Sequence, residues 1–459
     1  MAGIGFALRR LTSRDDLLGI VQGYTHSAVV SSGPWLFTIL AVGSINLFGI
    51  YLTTVAELIT FRVILIYNFA FSLAFSGPVL LVATRYLADM IFRKEVEEAP
   101  GMLLAAMVLL LGSQAMIVVP FYLFVVDLPP DLAAAGIVNY FLVAAIWLVN
   151  VFLTALKDYR SVTLAFLVGM ITAGGASLWL AGVIGALGIT IGFNIGLGII
   201  FFGLIARVFA EYPYRIMRPW RFMSYFRKYW DLALAGLIYN VAIWVDKWVM
   251  WSAPQREVTA AGFVTYPAYD GAMFLAYLTI VPAMAIFIVN IETRFFEHYQ
   301  RFYRDIEHHA NYQRIDSNHR NIIQALLMAS RNVVILQFCI CVTVILVAGR
   351  LFDVLSFPPL QLGIFRFGVL GSLFHVLLMF VGIVLAYFDL RRVMLLVQVV
   401  FLLTNGLFTW ATMEMGFAWY GYGYFMASLV TFVLGYGLCA WYVGRLPFLT
   451  FVQNNTSVR

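Results

Sequence analysis

RVFAEYPYRIMRPWRFMSYFRKY, residues 207–229, is the stretch on which the fold turns: Arg207, Arg215, Arg218, Arg221, Arg227 and Lys228 against one acid, Glu211, between long apolar runs on either side. Upstream lie runs at 27–50, 62–83, 102–126, 133–156, 161–182 and 186–206. Downstream lie 231–252, 262–290, 325–349, 361–387, 393–412 and 418–443. Each is near or above the roughly 20 residues that cross a bilayer. A backbone in lipid must satisfy its own hydrogen bonds, and these runs lack the short alternation of barrel strands, so every run is predicted to be a helix. The basic stretch divides the chain into residues 1–228 and 229–459, six helices each. Because six is even, both halves enter the membrane from the same side, as in a parallel repeat. The prediction is an all-α polytopic membrane protein of about twelve transmembrane helices in two six-helix bundles.

Composition agrees. Charged residues make up 11% of the chain and apolar ones 63%, against roughly 25% and 45–50% in soluble domains, so no ordinary water-facing surface can be built. With the N-terminus cytoplasmic, every lysine and arginine except Arg62, Arg256, Arg350, Arg366 and Lys247 falls in a terminus, an even-numbered connection or the turns beside one. That bias orients both termini to the cytoplasm and explains the net charge of +6 without nucleic acid as a partner. Residues 1–19 hold Arg9, Arg10 and Arg14 but no apolar core before a small-residue cleavage site, so the first span is expected to stay uncleaved. Cys339, Cys341 and Cys439 sit in apolar runs and read as small hydrophobes. No glycine-rich phosphate loop, no metal-ligand spacing and no extramembrane stretch large enough for a catalytic domain are present, so neither cofactor, metal nor enzyme activity is expected.

Ionisable groups inside the hydrocarbon cost roughly 2.5–3.5 kcal/mol each on insertion scales and usually face a cavity or a partner. Asp246 and Lys247 adjoin in the seventh span, Asp270 opens the eighth, and His375 lies near the middle of the tenth. Neighbouring residues point about 100° apart on a helix, so Asp246 and Lys247 are expected to look to other helices, with Asp270 a candidate partner for Lys247. Trp244, Trp248 and Trp251 share the Lys247 face; Tyr266, Tyr269, Asp270, Met273 and Tyr277 share a face on the next helix. Aromatic faces suit sugar C–H groups and tyrosine hydroxyls suit sugar oxygens, so these two faces are the candidate lining of a sugar path between the halves. Inter-helix packing is the plainer reading of the charges and of His375, and an interfacial aromatic belt the plainer one of Trp251 and Tyr266.

Ser-Gly-Pro occurs twice, ending in Gly33-Pro34 and Gly77-Pro78, and Pro267 and Pro282 interrupt the eighth span; these are hinges or static bends. Gly188, Gly192 and Gly196 allow close helix approach. An offset of 209 residues lays Trp35 on Trp244 and Thr84-Arg85-Tyr86 on Thr293-Arg294-Phe295, a short match that a duplication would leave. Outside the spans, Phe222, Tyr225, Phe226 and Tyr229 form one face of a helix expected to lie on the membrane. So do Ile4, Leu8 and Leu11. Phe295, Tyr299, Phe302 and Ile306 form a stripe opposite Arg294, Glu297, Arg301, Arg304, Asp305 and His308, which is either a second surface helix or a docking site for a cytoplasmic protein.

At AGIGFALRRL (Ala2 to Leu11), SSGPW (Ser31 to Trp35), YDGAMFLAYLTIVPAMAIF (Tyr269 to Phe287) and ETRFFEHYQRFY (Glu292 to Tyr303), the chain resembles the PelG family, inner-membrane transporters of the Pel exopolysaccharide system. The resemblance extends over the whole length. It implies the MATE-like exporter fold of the multidrug and oligosaccharide-lipid exporter superfamily. Export of a growing N-acetylgalactosamine-rich polysaccharide to the periplasm is implied as well, with the cytoplasmic glycosyltransferase PelF, the cyclic-di-GMP receptor PelD and PelE as partners. No site residue is carried over from the family. Its multidrug relatives use intramembrane carboxylates for ion coupling, whereas the first spans here offer Glu57 alone, near an end. The rival expectations are a flippase for lipid-linked oligosaccharide, an ion-coupled exporter, a membrane-embedded glycosyltransferase, for which loops such as Asp127 to Leu132 are too short, and a scaffold that anchors the synthase.

Overall fold

The computed structural model describes residues 17–156, 158–291, 295–354 and 358–453. Ile4, Leu8, Leu11 and Thr293-Arg294 lie outside these. The apolar runs are helices throughout: α1 (Leu17–Gly49), α2 (Val55–Arg93), α3 (Ala99–Pro120), α4 (Pro130–Leu156), α5 (Tyr159–Glu211), α6 (Met223–Lys228), α7 (Trp230–Met250), α8 (Pro267–Leu278), α9 (Val281–Asn290), α10 (Phe296–Glu307), α11 (Tyr312–Val354), α12 (Leu362–Tyr387), α13 (Arg391–Glu414) and α14 (Tyr422–Gly444). Among the described residues, nine helical segments are long and apolar enough to cross a membrane. Twelve passes are reached with α1, with the pair α8–α9, and with α5 counted twice.

The 53 residues of α5 are two antiparallel spans, because Ile184 (φ −135°) and Gly185 (φ +56°) leave the helical region and reverse the chain. The three glycines four apart face the first of these spans. A Cβ on Gly188 would stand 2.3 Å from the Leu180 carbonyl oxygen, on Gly192 2.3 Å from the Ser177 nitrogen, and on Gly196 2.3 Å from the Gly169 carbonyl oxygen. Arg207 at the far end bonds Asp158, the cap of the first span, at 2.6 Å. Burial opposes ionisation of Asp158, but hydrogen bonds from Arg207 and Ser161 and the guanidinium charge together hold its carboxyl below the usual carboxylate range. At the tip, Glu57 closes a capping box with Thr54 on α2 and also accepts from the Ala186 backbone; its carboxylate fills the place where a Gly185 side chain would stand. Glu57 is thus a cap for two helices.

The eighth span is shorter than its apolar run and is broken. Residues 257–258 and 264–265 pair as a two-residue antiparallel ribbon, and helix starts at Pro267. Pro282 has no N–H for the Leu278 carbonyl, so the chain turns at Thr279 and Ile280 before α9. Elsewhere the expected hinges leave helix intact. α1 runs through Gly33 and Pro34, with the Thr38 hydroxyl bonded to the Pro34 carbonyl at 2.9 Å. α2 runs through Gly77 and Pro78, and a Cβ on Gly77 would meet the Gly236 carbonyl oxygen at 2.3 Å, so Gly77 serves close packing of α2 on α7.

Two compact units result. One holds Ser32–Trp244 with Trp251–Tyr266; the other holds Val245–Met250, the chain from Pro267 onward and residues 17–31. Contact in space thus groups most of the seventh span with the first six, whereas the sequence division at 228 falls before it. Within the first unit α4 packs on α2 and on α5; within the second α12 is central, against α8, α11 and α14.

The connection 212–229 does not float. Phe222 and Tyr229 are buried, Tyr225 packs edge-on to Tyr86 at 4.7 Å and donates to Asp89, and Arg221 bonds Glu98 at 2.7 Å, which also accepts from Tyr86. Its aromatic face is satisfied by the end of α2 instead of by lipid. Trp251 and Tyr266 are likewise buried and do not form a belt: Trp251 stacks on Tyr67 at 4.8 Å, and the Tyr67 hydroxyl bonds Val264 of the ribbon.

Candidate functional site

The intramembrane charges converge in the second unit. The last turns of α7 carry Asp246 and Lys247, both buried, and the ammonium lies 3.0 Å from each Asp246 carboxylate oxygen. This corrects the expectation from helical geometry that Asp246 and Lys247 face apart and do not pair with each other. Cβ directions differ by about 100°, yet the four-carbon lysine stem is long enough to fold back, and burial rewards the nearest carboxylate. Asp270 is half-buried, next in sequence to Tyr269.

From α8, Tyr269 is fully buried and its hydroxyl donates to Asp246 at 3.1 Å. Tyr277, two turns on, reaches Lys247 at 3.4 Å with its hydroxyl and places its ring 4.4 Å from the ammonium. Met273 is buried toward α12, its sulfur 2.9 Å from where a Gly368 Cβ would stand, so it is a packing residue here. On α12, His375 Nδ1 pairs with the Tyr424 hydroxyl of α14 at 2.9 Å, between the rings of Tyr277 and Phe401. The Tyr424 ring lies 5.9 Å from Lys247. Asp246, Lys247, Tyr269, Tyr277, His375 and Tyr424 therefore make one buried polar cluster drawn from four helices. Trp248 is half-buried on the same helix end; Trp244 is half-buried and belongs to the other unit.

Sequence reading missed Tyr424 and the small residues that admit it. Gly371 lies under the Tyr424 ring, 2.4 Å from where its Cβ would be, and Ser372 donates to the Ala276 carbonyl of α8 at 3.1 Å. Gly368, Gly371 and Ser372 line one side of the tenth span at spacings that signal close approach. Also missed was an uncharged ladder inside the first unit. Asn68 of α2 donates to Asn139 of α4 at 2.9 Å, Asn139 donates to Asn194 of α5 at 2.8 Å, and the Tyr122 hydroxyl donates to Asn68 at 2.8 Å. Single asparagines in separate apolar runs carry no sign of one another.

The stripe expected to dock a partner is already covered. Phe295 and Phe302 are fully buried, Phe295 5.1 Å from the Tyr387 ring and Phe302 6.3 Å from His319, while Tyr299 donates to the Tyr387 carbonyl at 3.1 Å. α10 packs on α11 and the end of α12 because its apolar side finds apolar partners there. Arg301 and Arg304 remain exposed on its outer side, Arg301 paired with Glu297 one turn away. Among the described residues no group of His, Cys, Asp and Glu could hold a metal ion.

Solved structures with a similar fold include several that are distant in sequence. An outward-facing multidrug-resistance MATE transporter of the MOP superfamily aligns over 96% of this chain and 98% of that one, with TM-score 0.64 and 14% identity. A MOP-superfamily transporter from Pyrococcus furiosus aligns over 95% and 98%, with TM-score 0.61 and 13% identity. Among curated proteins there is no match. At the level of family the sequence is matched from residue 1 to 451 by PelG, the exopolysaccharide exporter (EPS-E) family, and with a transporter fold beneath that match the chain belongs to this family of multi-pass membrane exporters.

Proposed function

We propose that this chain exports a growing N-acetylgalactosamine-rich exopolysaccharide across the bacterial inner membrane, with both termini in the cytoplasm, and that polymer synthesis supplies the force. A cytoplasmic glycosyltransferase (PelF), with PelD and PelE, would deliver the strand. The observation that carries the reading is the state of the membrane-embedded polar groups. An ion-driven carrier needs a buried carboxylate that can take up and release its ion, whereas Asp246 is held by Lys247 at two 3.0 Å contacts and by Tyr269. The ladder of the first unit is amide and hydroxyl, and Glu57 is spent as a helix cap. An uncharged polymer asks for hydrogen bonds and ring faces, not for a counter-charge.

Sealed vesicles containing the chain, with and without the synthase and its nucleotide-sugar donor, test this. Labelled polymer should enter the lumen only when synthesis runs, and dissipating proton and sodium gradients should leave entry unchanged. Abolition by an ionophore would overturn synthesis-driven export in favour of ion coupling. Polymer made but never enclosed would leave the chain a scaffold for the enzyme.

A further inference from the structure

A crevice of about 360 Å³ opens in the second unit between α11, α12 and α14, lined by Leu327, Arg331 and Val334, by Phe380 and Val381, and by Tyr436 among others. The volume falls within the roughly 300–1,000 Å³ of small-molecule sites. It lies close to the basic ends of these helices. Phe380 precedes the end of α12 by seven residues and Tyr436 the end of α14 by eight, about 10–12 Å at 1.5 Å per residue, and Arg391, Arg392 and Arg445 follow those ends. The lining is hydrocarbon apart from Ser330, Arg331 and the tyrosine, and Leu327, Val334 and Tyr436 are exposed at its mouth.

Arg331 is the unusual feature. It lies in the second turn of the ninth apolar run, it is exposed, and among the described residues no carboxylate is within ion-pair distance of it. The arginines nearer the start of the same helix differ: Arg314 pairs with Asp305 and Arg320 with Asp316. A guanidinium at this depth is costly unless an anion meets it, and its planar fork matches a phosphate. A crevice that faces lipid is filled from the membrane, because an empty one forfeits dispersion contacts on every wall.

We propose that this crevice holds an acyl chain of an anionic phospholipid whose phosphate pairs with Arg331 at the mouth. Basic pockets between transmembrane helices take acidic headgroups for the same electrostatic reason. The lining favours lipid over the sugar polymer, since it offers few hydrogen-bonding groups.

The test uses the full chain in nanodiscs of phosphatidylglycerol and phosphatidylethanolamine in equal parts, with bound lipid counted by native mass spectrometry after mild detergent stripping. Wild type should retain phosphatidylglycerol in preference, Arg331→Gln should retain about fivefold less, as expected for one lost arginine–lipid contact, and Arg331→Lys should recover part of it. Excess inorganic phosphate should not displace the lipid, because the acyl chain supplies much of the binding. Equal retention of the two lipids by wild type, or no loss on Arg331→Gln, overturns the proposal. A second measurement needs no variant: a phosphatidylglycerol with a photoreactive acyl chain should cross-link to peptides bearing residues 327–334 and 377–381. Cross-links confined to other helices would overturn it equally.

Discussion

Replacing Lys247 by methionine tests whether the buried ion pair is a structural unit. At 3.0 Å and an effective dielectric constant near 20, the Coulomb attraction of Lys247 for Asp246 is about 5.5 kcal/mol. Most of that is offset by the cost of desolvating two charges, so the pair as a whole contributes little; removing one partner strands the other and costs about 3–5 kcal/mol. In a bilayer the unfolded chain also finds partners for polar groups, which places each single variant near the lower end of that range, about 3 kcal/mol. The double variant Asp246→Asn/Lys247→Met keeps an acceptor for the Tyr269 hydroxyl and strands no charge. It should lie within about 1.5 kcal/mol of wild type, where additivity of the singles would give about 6. Denaturant or thermal unfolding of the purified chain in micelles supplies the three differences, and secreted polymer in cells supplies the functional one. If the three stabilities add, the two groups are independent and the account of the site is wrong. If the double variant is stable and abundant but exports nothing, the pair serves transport directly.

The remaining predictions concern the frame around the site. Gly185→Ala should lose at least about 1–3 kcal/mol, because φ +56° with ψ −134° is a backbone region that favours glycine and the added Cβ would displace Glu57; unfolding midpoints measure the loss. Gly196→Leu should sharply reduce folded protein by wedging the α5 hairpin apart at the Gly169 carbonyl, while Gly203→Leu, with open space around it, should be tolerated; size-exclusion recovery distinguishes them. Burial works against ionisation of Asp305, but hydrogen bonds from Arg314 and Asn318 hold its carboxyl below the ordinary range. Its contribution is therefore complete above the unfolded value near 3.9 and is lost as pH falls through the lower folded value. Amide exchange in 296–307 should accelerate only in that acidic window, and Arg314→Met should move the onset upward.

Several features were legible because they are properties of a single stretch of chain. Run length and the sorting of arginines and lysines predicted helices and a polytopic plan, and even the reversal inside 159–211 showed as two separate runs, 161–182 and 186–206. The surface stretches were misread for one reason. Amphipathic faces at 222–229 and 295–306 announce that something apolar will cover them, but lipid, a partner and the protein's own helices look alike from one strand of sequence.

What the sequence determined by itself, then, is the set of passes, their basic ends and the few residues that carry polarity into the membrane, since each follows from local hydrophobicity and charge. Tertiary structure alone decided which of those residues meet. Lys247 folds onto its neighbour Asp246, Tyr424 arrives from 49 residues beyond His375, and Asn68, Asn139 and Asn194 join across three helices. Such pairings depend on rotamers and on the closeness that glycines such as Gly371 permit, and neither is written in the periodicity of any one helix.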